Sequence, residues 1–71
     1  MTNSWYSDTD GGGVTHVHRT SDNLEIGSFE ARGLGGFWVV ARSPVKPFCL
    51  VTEVIDKAAA LLTILSRWNL Q

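Results

Sequence analysis

From Thr52 to Asn69 the chain carries apolar residues at helical spacing, and this run constrains what the remainder must supply. At about 100° per residue, Val51, Val54, Ile55, Ala58, Leu61, Leu62, Leu65 and Trp68 share an arc of roughly 140°. Glu53, Asp56, Thr63 and Arg67 lie opposite, and Ile64 falls outside the arc, near Lys57. A stripe of about 100° already suffices to seat a helix on a core. The surplus predicts a helix that covers a sheet with its central stripe, Val54, Ala58, Leu61 and Leu65, and offers a flank with Ile64 and Trp68 to something else. Thr52 is the expected N-cap, with Glu53 and Asp56 at the positive end of the dipole and Arg67 at the negative end.

Ahead of the helix the apolar period is two. Val14 to Thr20 and Leu24 to Arg32 read as strands joined by the turn Ser21-Asp22-Asn23. Gly33-Leu34-Gly35-Gly36 gives a second reversal before Phe37 to Arg42 (FWVVAR), the richest β-branched and aromatic run. Gly27 marks an expected bulge, because Leu24 and Ile26 share one parity while Phe29 and Ala31 share the other. Ser43-Pro44-Val45-Lys46-Pro47 is a turn or crossing. Phe48 to Val51 fits either a short fourth strand or the first helical turn, and the extended form is preferred. The expectation is α+β: a three-stranded antiparallel meander, four-stranded if residues 48–51 are extended, packed on one long C-terminal helix.

Residues 1–13 (MTNSWYSDTDGGG) are polar and glycine-rich, which reads as a flexible N-terminal arm, with 14–71 as one small domain. Trp5 and Tyr6 are the exception, two adjacent aromatics expected to dock on the core or on a neighbouring chain. A domain of 71 residues hides only about 60% of its unfolded surface, so staples or partners matter. Cys49 is the single cysteine, which excludes an internal disulfide and fits a reducing, cytoplasmic setting. No signal-peptide pattern opens the chain, and the most apolar stretch, Phe48 to Leu65, is too interrupted by polar residues to span a membrane.

With Gly33 to Gly36 as the loop, Arg32 pairs with Phe37, placing Phe29, Ala31, Trp38 and Val40 under the helix. Phe37, Val39 and Ala41 then occupy the other face, more apolar than water requires. A register shifted by one exchanges the two sets. The expected interface is therefore Phe37 and Val39 on the sheet, Ile64 and Trp68 on the helix, and Trp5 and Tyr6 in the arm. A symmetric dimer is the commonest way to hide such a patch.

Catalytic and ligand patterns are sparse. His16 and His18 lie on the same side of a strand, the spacing of two metal ligands, but Cys49 and Glu30 are the only candidates to complete a site and no second pair accompanies them. No metal or cofactor is therefore expected. Asp8-Thr9-Asp10-Gly11 lacks the distal glutamate of a calcium loop, and the glycine runs lack the lysine of a phosphate loop. Cys49, among Phe48, Leu50 and Val51, reads as an inert thiol. Arg19, Arg32 and Arg42 fall on three successive strands, an alternative nucleic-acid surface if they converge, but the net charge is −1 and Asp22, Glu25 and Glu30 interleave with them.

The expectation is a non-enzymatic interaction protein, a homodimer that inhibits or regulates another protein by contact. In size and style it is similar to the compact inhibitors and accessory proteins of phages and mobile elements, anti-defence proteins among them. A nucleic-acid-binding regulator and an oligomeric small-molecule or metal binder are the alternatives.

Overall fold

The computed structural model describes residues 4–44 and 49–70. Along them run β1 (Trp5–Thr9), β2 (Thr15–Arg19), β3 (Leu24–Ala31), β4 (Phe37–Arg42), β5 (Cys49–Val54) and α1 (Lys57–Ser66). The strands form one antiparallel sheet in the order β1-β2-β3-β4-β5, with the single helix on one side. The α+β meander is as expected, but it has five strands rather than three or four. Residues 45–48 of the proline crossing and the side chain of Cys49 lie outside the described residues.

The fifth strand comes from the segment read as an arm. Trp5 to Thr9 pairs with β2 along its length, Trp5 opposite Arg19 and Thr9 opposite Thr15. Its reversal is built by Asp10, whose carboxylate accepts from the N–H groups of Gly12 (2.8 Å) and Val14 (3.1 Å). Backbone pairing and this side-chain turn order a segment whose composition promised little, as Asp often does in turns.

The bulge expected at Gly27 is present. The β2–β3 register shifts between Val17, opposite Gly27, and His18, opposite Glu25, leaving Ile26 as the extra residue. Ile26 and Gly27 are both buried. A Cβ on Gly27 would lie 2.8 Å from both Cγ atoms of Ile64 and from the Val40 carbonyl oxygen, so a glycine here lets the helix seat.

The β3–β4 register is the one-residue alternative. Ala31, not Arg32, faces Phe37, and Phe29 faces Val39. The Arg32 N–H donates to the Gly36 carbonyl (3.0 Å), so the reversal closes inside the glycine run. Gly35 and Gly36 hold φ of 99° and 76°, and a Cβ on Gly36 would meet the Val54 carbonyl oxygen at 2.7 Å. The two faces therefore exchange. Phe29, Val39 and Ala41 are buried beneath the helix, with Phe37 packed against them, while Trp38, Val40 and Arg42 face away. Of the expected contact residues on this strand, Val39 belongs to the core and Phe37 packs, partly buried, against it.

The helix also begins later than expected. β5 runs to Val54, pairing Phe37 with Val54 and Val40 with Val51. Asp56, not Thr52, is the N-cap, accepting from the Ala59 N–H at 2.8 Å. Removing Val51, Val54 and Ile55 from the helix turns its apolar centre onto Ala60, Ile64 and Leu65. Ile64, assigned to a contact flank, is fully buried in the core with Val17, Ile26 and Val39. Ala58, placed in the central stripe, is exposed. Leu70 closes the core from the tail, its N–H donating to the Leu65 carbonyl (3.0 Å). Trp68 packs on the core edge and its indole donates to the Arg42 carbonyl at 3.0 Å. No helix among the described residues is long and apolar enough to cross a membrane.

Candidate functional site

Side chains alternate across a strand, so the register assigns the face away from the helix. That open face carries Tyr6 and Asp8 on β1, His16 and His18 on β2, and Glu25, Ser28 and Glu30 on β3. Trp38, Val40 and Arg42 on β4 and Val51 and Glu53 on β5 complete it. It divides into a polar half and an apolar half.

In the polar half, His16 sits between two carboxylates, Nε2 at 2.9 Å from Asp10 and Nδ1 at 3.1 Å from Glu25. An imidazole satisfies both only as the cation, with both nitrogens donating. Asp10 foremost, with Glu25 adding to it, raises the His16 pKa above its usual 6.5, and partial burial opposes this. His16, followed by the Val14 and Gly12 N–H groups, lowers the Asp10 pKa below 3.8. His18 stacks on the Tyr6 ring (centroids 4.9 Å apart, planes at 17°), its Nε2 is 3.6 Å from Asp8, and its Nδ1 has no hydrogen-bond partner among the described residues. The Tyr6 hydroxyl donates to Asn23 at 3.0 Å. The two histidines thus share a face, as their spacing required, but each is engaged by neighbouring side chains. No group of three or more metal-ligating side chains assembles among the described residues.

The apolar half is centred on β4 and β5. Val40 lies opposite Val51, with Trp38 two residues along the same strand. Val51 is 62% exposed and Trp38 42%. Arg32 stands over the Trp38 ring (5.3 Å) and holds Glu53 at 2.6 Å. Arg42, at the other end, is 3.7 Å from Glu25, and Glu30, opposite Trp38, has no ion-pair partner among the described residues.

The three arginines do not converge. Arg19 lies on the helix side, over the Trp68 ring (5.0 Å) and paired with Asp22 at 2.7 Å, while Arg32 and Arg42 serve opposite ends of the open face. Asp22 raises the Arg19 pKa and is itself lowered by it. Each guanidinium already holds a carboxylate, an arrangement poorly suited to phosphate capture.

A second uncovered surface lies on the helix layer. Leu62 is 68% exposed, and Ala58, one turn earlier, is exposed too. Ile55, at the strand-to-helix junction, is 84% exposed, and Leu34 lies in the β3–β4 loop at the same end of the sheet. Of the six expected interface residues, Val39 and Ile64 are core, Phe37, Trp68 and Trp5 pack against it, and only Tyr6, 40% exposed with its ring stacked on His18, is not part of that packing. Trp38, Val40, Val51, Ile55 and Leu62 stand in their place. The alternation along FWVVAR carried Trp38 and Val40 as the complementary set, and only the register separated them.

Comparison of the chain with protein-family models, with curated proteins and with solved structures finds no match.

Proposed function

We propose that this protein is a non-enzymatic contact protein, a homodimer that inhibits or regulates another protein. One observation carries the reading: among the described residues two groups of exposed apolar side chains lie on opposite layers, Trp38 and Val51 flanking the half-buried Val40 on the sheet, and Ile55, Ala58 and Leu62 on the helix side. Exposed apolar side chains that gather, rather than scatter singly, mark sites of macromolecular contact. Two such surfaces suit a protein that meets its own copy on one side and its target on the other. The ion pairs around the histidines and arginines serve, on this reading, to shape the faces rather than to perform chemistry.

The helix-side surface is the target surface. The test is affinity capture from the source cells with wild-type protein and with Leu62→Asp, with circular dichroism confirming that the variant folds. A protein retained by the wild type and lost by the variant is the expected result. A wild type that retains nothing, or a captured protein indifferent to both Leu62→Asp and Ile55→Asp, overturns the assignment.

A further inference from the structure

We infer that the open sheet face, centred on Val40 and Val51 and bounded by Glu30 and Arg42, is the contact face for a second copy of this chain. The inference rests on the homodimer of the proposed function and adds its geometry.

The pattern on that face is self-complementary. Along β4 the side chains read Trp38, Val40, Arg42, and Trp38 is flanked across the ladders by Glu30 on β3 and Glu53 on β5. Consider two such sheets packed face to face, about 10 Å apart, around a two-fold axis lying between them and running across the strands. Position along each strand is inverted and position across the sheet is kept. Val40 then faces Val40 of the second copy, and Val51 faces Val51. Arg42 of each copy arrives over the Trp38 end of the other, between Glu30 and Glu53 and next to the Arg32 that covers the Trp38 ring, while Glu30 arrives between Arg42 and Glu25.

This places two incompletely engaged charges of the open face together. Glu30 has no ion-pair partner within its own chain's described residues, and Arg42 is held by Glu25 only at 3.7 Å. The two-fold axis generates two Glu30–Arg42 pairs at the rim of a Trp-Val-Val centre, the polar rim and apolar centre usual in protein interfaces. An axis along the strands would set Arg42 against Arg42 and leave Glu30 unmatched. Five strands spaced by about 4.8 Å make a small face, at the low end of what specific interfaces cover, which suits a weak and reversible association.

The test uses charge reversal in two separate chains. Glu30→Arg alone sets two arginines against each other, and Arg42→Glu alone sets two glutamates, so each variant should self-associate about tenfold or more weakly than wild type by sedimentation equilibrium. Mixing the two variants restores both pairs, and the heterodimer should form with close to wild-type affinity. Recovery on mixing also proves that both variants are folded. A second readout needs no substitution: on raising wild-type concentration, the indole N–H resonance of Trp38 should shift while those of Trp5 and Trp68 stay. A wild type that remains monomeric to millimolar concentration overturns the inference, as does a dimer unaffected by both reversals or a concentration-dependent shift that spares Trp38. Capture through Leu62 would survive any of these results, so the failure of the sheet-face dimer and the failure of the contact reading are separable.

Discussion

The two ends of this sheet are held by different physics. β3, β4 and β5 are backed by α1, and their order comes from an apolar core of Ile26, Phe29, Val39 and Ala41 against Ala60, Ile64 and Leu65. β1 and the outer part of β2 lie beyond the helix and, apart from Trp5 at the core edge and Arg19 over Trp68, are ordered by ladder hydrogen bonds, the Asp10 turn, the Asp10–His16–Glu25 series and the Tyr6–His18 stack. Apolar packing is indifferent to pH and costly to interrupt, whereas exposed ion pairs are individually weak and titrate. The helix-backed half should therefore set global stability, and the hairpin half should respond to conditions.

The largest effect should come from Ile64→Ala, which removes the fully buried side chain that bridges helix and bulge and should cost about 2–5 kcal/mol in urea unfolding. A loss below 1 kcal/mol would mean that the helix is not what secures these strands. Next, Gly27→Ala forces a methyl group against Ile64 and the Val40 carbonyl, with an expected cost of about 1–3 kcal/mol. Shortening the opposing side chain in Gly27→Ala/Ile64→Val should cost less than the sum of the single changes, and strict additivity would place the conflict elsewhere. Asp56→Ala deletes the cap on the Ala59 N–H and should cost about 1 kcal/mol, read by the same titration, with Asp56→Asn recovering most of it.

The smallest effect is local and pH-dependent. His16 is raised above 6.5, so its contribution is complete below that value and is lost as pH climbs through the raised one. Asp10 is lowered below 3.8, so its contribution is present above that value and fades as pH falls through the lowered one. The β1–β2 hairpin should be tightest between the two. Amide exchange protection of Trp5–Thr9 should fall on the alkaline side while β4 protection holds, and His16→Gln should flatten that fall. Equal responses in β1 and β4 would erase the distinction between the halves.

The same division explains what could be read from the residues. The meander, the bulge at Gly27 and the C-terminal helix were legible because each is written in apolar periodicity or in a break of parity. β1 was not, because Ser7, Asp8 and Thr9 have no apolar alternation and the strand is defined by what it pairs with. The helix start was misplaced because Val51, Val54 and Ile55 fit a helical arc as well as an edge strand, and only the Asp56 cap on Ala59 separates the two. The face of β4 depended on one residue of loop length, decided by two glycines at positive φ and by contact of Gly36 with Val54. That single shift moved Phe37 and Val39 inward and Trp38 and Val40 outward, so the outward-facing apolar pair lies on the expected strand but on the opposite face.

Every strand in this sheet lies beside its neighbour in sequence, and that order has a kinetic consequence. Hairpin after hairpin can form by short loop closures, a route that favours rapid folding. The long closure is the docking of α1, which must carry Ile64 back to Gly27 and Trp68 back to the Arg42 carbonyl, 26 residues away. The meander is then the early event and the seating of the helix the late one, so changes at Gly27 should speed unfolding more than they slow folding.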